Sequence, residues 1–175
     1  ILRQICGSLY EAHSKGLVHR DIKPANIMLN RRGGESDVVK VLDFGLVKAV
    51  DQEKQKHATT SGALTGTPLY MSPEAIQSPL LVDACSDIYA VGAVGYFLLT
   101  GQPVFAGATI VELLQQHVSA TPTPLSTRLG RTVSEELEHA ILACLEKNRS
   151  KRPQTARILA ELLARVPQPA WSQHD

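Results

Sequence analysis

Residues 88–111 contain no charged side chain, and this stretch constrains the fold more than any other part of the chain. Its continuous apolar part, residues 88–99, is only twelve residues long, because Gly101 and Pro103 follow it. A helix needs about twenty apolar residues to cross a bilayer. The stretch therefore predicts a helix buried in a protein core rather than a membrane span. We expect this helix over residues 83–99.

The rest of the hydrophobic pattern predicts a mostly helical domain with one small β-hairpin. Apolar residues at helical spacing indicate further helices over residues 1–15, 109–118, 134–147 and 155–165. Two short runs rich in β-branched residues, 27–29 and 38–42, predict strands joined by a long polar turn over 30–37. Residues 51–65 and 119–133 are rich in polar residues or in proline and threonine, and we expect them to be irregular.

Composition excludes several classes of protein. The 175 residues are 43% hydrophobic and 20% charged, which is not the composition of a disordered chain. Eighteen basic residues against seventeen acidic ones leave a net charge of +1, so we expect no nucleic acid partner. Three widely spaced cysteines indicate a reduced, intracellular setting, where they fill the core. The chain begins with Ile1 rather than Met, which suggests a piece of a longer protein.

Residues with catalytic potential are densest in the sequence HRDIKPAN, residues 19–26, and Asp43 follows Asn26 by seventeen residues. A hairpin between them would return the chain to its start and bring Asp43 beside Asn26, with Asp21 close by. Amide and carboxylate oxygens suit Mg²⁺, which takes one or two carboxylates and completes its shell with water and phosphate. Lys23 adds a compact positive charge suited to a phosphate in transfer. The spacing therefore predicts a magnesium and phosphate site at one end of the hairpin.

Three motifs in this order resemble those of protein kinases: HRDIKPAN, DFG at 43–45 and SPE at 72–74. The lysine after HRD is similar to the serine/threonine branch, and GTPLYMSPE at 66–74 is similar to bacterial members. The resemblance covers residues 1–165 and implies an α+β fold, the helical C-terminal lobe of a kinase with a small hairpin at its catalytic loop. We expect residues 166–175 to be a linker or juxtamembrane tail.

The resemblance implies a role for each residue of the site. Asp21 would be the catalytic base toward the substrate hydroxyl, and Lys23 would contact ATP and stabilise the transferred phosphoryl group. Asn26 and Asp43 would hold Mg²⁺ (or Mn²⁺) against the ATP phosphates. Thr67 would hydrogen-bond near Asp21 and Lys23 and shape the docking surface for the substrate.

Further residues are implied to regulate or support this site. Arg20 would pair with a phosphate on the activation loop, whose available hydroxyls belong to Thr59, Thr60, Ser61 and Thr65. Glu74 and Arg152 would form a buried ion pair that anchors the activation segment. Asp87 would cap a helix and tie the catalytic-loop backbone. Structural roles are also expected for His19, Phe44 and Gly45.

Together these features imply a cytoplasmic enzyme that transfers the γ-phosphoryl group of ATP to serine or threonine hydroxyls of proteins. A pseudokinase-like docking module and a small-molecule phosphotransferase stay open as alternatives, although the presence of Asp21, Asn26 and Asp43 favours the protein kinase. The sequence has neither the glycine-rich loop nor the strand lysine that cover ATP, so we expect the isolated piece to be inactive. No membrane segment is expected within it. A transmembrane segment after the tail stays open, which would make the chain the cytoplasmic part of an anchored protein.

Overall fold

The structure, a computed structural model, describes residues 1–44 and 67–167. Within these ranges the chain forms seven α-helices and one two-stranded sheet, which confirms the expected mainly helical class with a small hairpin. In chain order the elements are α1 (Leu2–Ser14), β1 (Ile27–Arg32), β2 (Glu35–Val41), α2 (Pro73–Gln77), α3 (Ala84–Thr100), α4 (Ile110–Ser119), α5 (Leu125–Leu129), α6 (Glu135–Cys144) and α7 (Ala156–Ala164). Short 3₁₀ turns lie at Pro24–Asn26, Pro68–Tyr70, Pro79–Leu81 and Arg149–Lys151.

The charge-free stretch forms most of α3, which is buried from residue 85 to residue 96. Asp83 and Ser86 form a reciprocal capping box at its start, and Gly101 ends it in a left-handed conformation with φ 69°. Helix α6 lies close against it, because a Cβ atom on Gly92 would be only 2.4 Å from the Cβ of Cys144. The predicted central helix is therefore confirmed.

Two apolar clusters share α3 and form the core. The first cluster joins α1, α3, α6 and α7 and reaches the hairpin through Ile22 and Val41. The second cluster joins α3 to α4, α5 and α6 around Tyr89 and Tyr96. Because Ile22 follows Asp21 directly, the first cluster anchors the chain segment that carries the candidate site.

The hairpin is longer and its turn tighter than the sequence suggested. The strands pair from Ile27 opposite Val41 to Arg32 opposite Glu35, so the predicted long turn over 30–37 was wrong. Gly33 and Gly34 make the turn with φ angles of 59° and 87°, the conformation that two-residue hairpin turns require. Polar residues on either side continue the strands because most of this small sheet is exposed to solvent.

One side chain of α1 holds the hairpin. The amide nitrogen of Gln4 donates to the carbonyl oxygen of Asp37 at 3.0 Å, and its amide oxygen accepts from the backbone N–H of Val39 at 2.8 Å. These two bonds attach the outer edge of β2 to the first helix.

Other boundaries also differ from the predictions. Residues 125–129 of the expected irregular segment form α5, because Leu125 is buried in the second cluster. The helix predicted over 134–147 ends at Cys144, and α2 was not predicted. Residues 51–65 and 168–175 lie outside the described ranges. Among the described helices, none has both the length and the apolar character that a membrane span requires.

Candidate active site

The hairpin brings the HRDIKPAN segment and the start of the DFG motif together. The backbone N–H of Leu42 donates to the carbonyl oxygen of Asn26 at 2.9 Å, one residue beyond the paired strands. Asp43 follows directly and is exposed, with a φ angle of 57° that few residues other than glycine adopt. The backbone therefore turns sharply at Asp43, beside Asn26.

Asp21, Lys23 and Asn26 form a hydrogen-bonded group at the same end of the hairpin. The buried Asn26 donates from Nδ2 to the carbonyl oxygen of Asp21 at 2.8 Å and to its carboxylate Oδ2 at 3.3 Å. Lys23 Nζ lies 2.9 Å from the same Oδ2. An amide and an ammonium group thus orient the Asp21 carboxylate, which remains partly exposed.

Asp87 holds the backbone that precedes Asp21. Its carboxylate accepts from the N–H groups of His19 and Arg20, each at 2.8 Å, and its side chain is only 1% exposed. Arg20 has a φ angle of 69°, a left-handed conformation that costs free energy and needs such support. The expectation that Asp87 caps a helix was wrong. The helix begins one turn earlier, where Asp83 accepts the capping bonds.

His19 is buried and links the two motif segments. Its Nε2 lies 2.7 Å from the carbonyl oxygen of Leu42, and its Nδ1 lies 3.2 Å from the N–H of Asp21. Because the carbonyl can only accept and the N–H can only donate, the proton lies on Nε2. The ring also packs edge-on against Phe44 at 4.9 Å between centroids. His19 therefore has the contacts of a structural residue.

Arg152 and Glu74 are in bidentate contact in the interior. Arg152 donates from NH1 and NH2 to the two carboxylate oxygens at 2.7 and 2.9 Å, and Ser86 donates to Glu74 at 2.6 Å. Burial favours a higher pKa for Glu74, but the hydrogen bonds from Arg152 and Ser86 outweigh it and lower the pKa to about 2. This pair joins α2, which contains the last two residues of the SPE motif, to the turn before α7.

The donor set at the hairpin end fits a hard divalent cation. The amide nitrogen of Asn26 is engaged by Asp21, which leaves the amide oxygen as the group available to a ligand. Asp43 supplies an exposed carboxylate on the neighbouring segment. Amide and carboxylate oxygens are ligands that Mg²⁺ accepts, with water and phosphate for the rest of its shell. Within residues 1–44 and 67–167, no group of three or more His, Cys, Asp or Glu side chains could hold a metal ion.

Thr67 and Arg20 line the same cavity as Asp21, a space of about 30 Å³. Gly45 and the candidate phosphorylation sites Thr59, Thr60, Ser61 and Thr65 lie outside the described residues.

Sequence reasoning missed one contact of this site. Nε2 of His13 lies 2.8 Å from Oδ2 of Asp87, although 74 positions separate the two residues. No local pattern marks His13, because it occupies a position on α1 that resembles any polar helix residue.

Comparisons with known proteins agree with this architecture. The model of the protein kinase domain family matches residues 1–163. A probable serine/threonine-protein kinase of Corynebacterium efficiens is 40% identical over 171 residues, covering 94% of this chain and 25% of the relative. Serine/threonine-protein kinase pkn3 of Myxococcus xanthus is 41% identical over 167 residues, covering 94% of this chain and 30% of the relative.

A solved structure shows the same fold. The crystal structure of Rad53 in complex with AMP-PNP superposes with a TM-score of 0.70 at 28% identity, covering 93% of this chain and 38% of that one. The chain spans about a quarter to a third of the length of the two relatives described above. With the hairpin, its motif segments and these matches in agreement, the chain belongs to the protein kinase family.

Proposed function

We propose that this chain is the lobe of a protein kinase that carries the catalytic base and the docking surface for the substrate. The reaction transfers the γ-phosphoryl group of ATP to a serine or threonine hydroxyl of a protein. The single observation that carries the proposal is the group at the hairpin end. There the Asp21 carboxylate is held by Asn26 and Lys23, with Asp43 on the adjoining segment.

The contacts of each residue in this group are compatible with one role in phosphoryl transfer. The Asp21 carboxylate accepts the proton of the attacking hydroxyl, and its orientation by Asn26 limits the positions that hydroxyl can take. Lys23, already beside that carboxylate, offsets negative charge on the phosphoryl group during transfer. Asn26 and Asp43 would hold Mg²⁺, which when bound with ATP neutralises the charge of its phosphates.

Arg20 is the residue through which phosphorylation would regulate this site. Its backbone N–H donates to Asp87, and the residue lines the cavity that Asp21 and Thr67 also line. A phosphate on Thr59, Thr60, Ser61 or Thr65 would be a charged acceptor for hydrogen bonds from the Arg20 guanidinium group. We expect mass spectrometry of the active protein to find phosphate on at least one of these hydroxyls. A loop without phosphate would contradict this part of the proposal.

The test compares two aspartates, one within β2 and one two residues beyond its end. Asp43 and Asp37 both have left-handed backbones, with φ angles of 57° and 61°, which asparagine tolerates equally well. We expect Asp43→Asn in the native protein to abolish phosphoryl transfer to a serine/threonine peptide, while Asp37→Asn leaves it unchanged. Asp21→Asn should lower kcat by about 10²- to 10⁴-fold, the usual contribution of a general base. Equal activity of Asp43→Asn and Asp37→Asn would contradict the proposal.

The purified chain alone should show no transfer. Its sequence holds the groups that contact phosphate and substrate but no glycine-rich loop or strand lysine to cover ATP. Transfer by residues 1–175 that Asp43→Asn abolishes would contradict this expectation. A native protein that transfers nothing, yet still binds a protein partner, would support the docking-module alternative.

A further inference from the structure

We propose that His117 is a positioning residue, which restrains a turn on the docking surface for the substrate. The proposal rests on the proposed function. This docking turn, Pro68–Tyr70, follows Thr67 directly. Thr67 and Tyr70 line the cavity that Asp21 also lines, so the turn lies beside the catalytic base. His117 lies in the last turn of α4, and the mechanism above makes no use of it.

The ring of His117 is completely buried and is held from several sides. The hydroxyl oxygen of Tyr89, on α3, lies 2.9 Å from its Nδ1. Phe105 packs against the ring edge-on, at 5.1 Å between centroids. Lys147 donates to the backbone carbonyl oxygen of His117 at 2.9 Å, which fixes the end of α4. A ring with these contacts has little freedom to move.

Leu69, in the middle of the docking turn, has its backbone beside this ring. Burial and the charge of Lys147 lower the pKa of His117 to about 4, whereas a contact with the Leu69 backbone acts in the opposite direction. A backbone carbonyl raises the pKa of a histidine because it accepts from a ring N–H. At pH 7 the ring is neutral and carries one N–H. Since Tyr89 can donate to Nδ1, the N–H beside Leu69 is that of Nε2.

Nε2 of His117 is a buried donor whose hydrogen bond is incomplete. It has no partner with hydrogen-bond geometry within the described part of the chain, and a buried donor without a partner destabilises the fold. The docking turn is only partly buried, and Leu69 and Tyr70 pack against the second apolar cluster. A small shift of the turn toward α4 would complete the bond to the Leu69 carbonyl. The completed bond then opposes movement of the turn away from α4, which keeps the docking surface in place beside Asp21.

The experiment replaces the imidazole by two different amides in the native protein. Asparagine places its amide near the position of Nδ1, so His117→Asn keeps a partner for Tyr89 and loses the donor toward Leu69. Glutamine reaches the position of Nε2, so His117→Gln keeps that donor. We expect His117→Asn to raise the KM for a serine/threonine peptide about five-fold, the contribution of one neutral hydrogen bond, with kcat and the KM for ATP unchanged. His117→Gln should keep the peptide KM within about two-fold of the wild-type value. His139→Asn, at an exposed position on α6, controls for the loss of a histidine.

Hydrogen exchange in the docking turn gives a second readout that needs no activity. The N–H groups of Tyr70 and Met71 donate to the carbonyl oxygens of Thr67 and Pro68 at 3.0 and 3.4 Å. Exchange of both amides should be faster in His117→Asn and normal in His117→Gln. A wild-type peptide KM in His117→Asn, or an equal rise in both variants, would overturn the proposal. If the native protein transfers no phosphate, the proposed function fails and exchange alone decides. Faster exchange confined to His117→Asn then supports the restraint by His117, and equal exchange in the two variants overturns it.

Discussion

Replacing Glu74 by glutamine should destabilise the protein through the charge that it leaves behind. Arg152 is fully buried and donates to both oxygens of Glu74. It also donates to the carbonyl oxygens of Cys85 and Glu146 at 3.0 and 2.7 Å, so it cannot turn toward solvent without breaking these bonds. Glu74→Gln keeps the shape of the side chain but leaves a guanidinium charge without its counter-ion.

Two independent routes give the size of this effect. The pKa of Glu74 is about 2 against its usual 4.5. Each pKa unit corresponds to about 1.4 kcal/mol, so the ionised carboxylate stabilises the fold by roughly 2–3 kcal/mol after allowance for solvent screening. Breaking a buried ion pair by removing one partner costs about 3–5 kcal/mol. Both ranges include a destabilisation of about 3 kcal/mol. A loss of that size would lower Tm by roughly 6–12 °C in a chain of this size.

Urea unfolding followed by circular dichroism measures the effect, in a cycle with Arg152→Met and the double variant. The loss of unfolding free energy in the double variant should be about 1–3 kcal/mol smaller than the summed losses of the two single variants, because the double variant leaves no unpaired charge buried. Glu11→Gln, which breaks the exposed pair of Glu11 and Lys15, is the control and should not move the midpoint. A loss below about 1 kcal/mol in Glu74→Gln, or strict additivity, would refute the reasoning.

The pH dependence of stability gives a further test of this pair. Because the pKa of Glu74 is lower in the folded state, its contribution is complete above about pH 4.5. It is lost as the pH falls toward about 2. Glu74→Gln should flatten the stability profile in that range, and an unchanged slope would contradict the assignment.

Three further substitutions test the packing of α3, an exposed position on α1 and a buried histidine. Gly92→Ala should lower the unfolding free energy by about 1–3 kcal/mol, because its Cβ would lie 2.4 Å from the Cβ of Cys144. Gly7→Ala should raise the unfolding free energy by up to about 1 kcal/mol, because no atom lies within 4 Å of the added Cβ. Thermal unfolding measures both changes. Burial and the charge of Lys147 lower the pKa of His117 to about 4, so stability should fall as the pH drops from about 6.5 to about 4. His117→Leu should remove most of that slope in Tm measured between pH 7 and pH 4.

The sequence predicted the parts of the fold that depend on local patterns. The charge-free helix, the amphipathic helices and the existence of the hairpin all follow from the spacing of apolar residues. The spacing from Asn26 to Asp43 also placed the two motif segments at one end of that hairpin, because a hairpin returns to where it began. The roles of the residues there remain predictions.

Local patterns could not supply the features that depend on distant contacts. The polar residues around Gly33 and Gly34 predicted a long turn, although an exposed two-stranded sheet accepts polar side chains throughout its length. The contact of His13 with Asp87 joins two helices that are far apart in the sequence. Residues 125–129 form a helix that buries Leu125 in the second cluster. The proline and threonine residues nearby favoured an irregular segment in the sequence pattern.

The amide of Gln4 has a consequence for the solubility of this small sheet. A two-stranded sheet exposes two edges, and an open edge offers backbone groups to strands of other molecules. Gln4 occupies the carbonyl of Asp37 and the N–H of Val39 on the outer edge of β2, as a neighbouring strand would do. At these positions a single helix side chain takes the place that an intruding strand from another molecule would need, and so protects the hairpin from edge-to-edge aggregation.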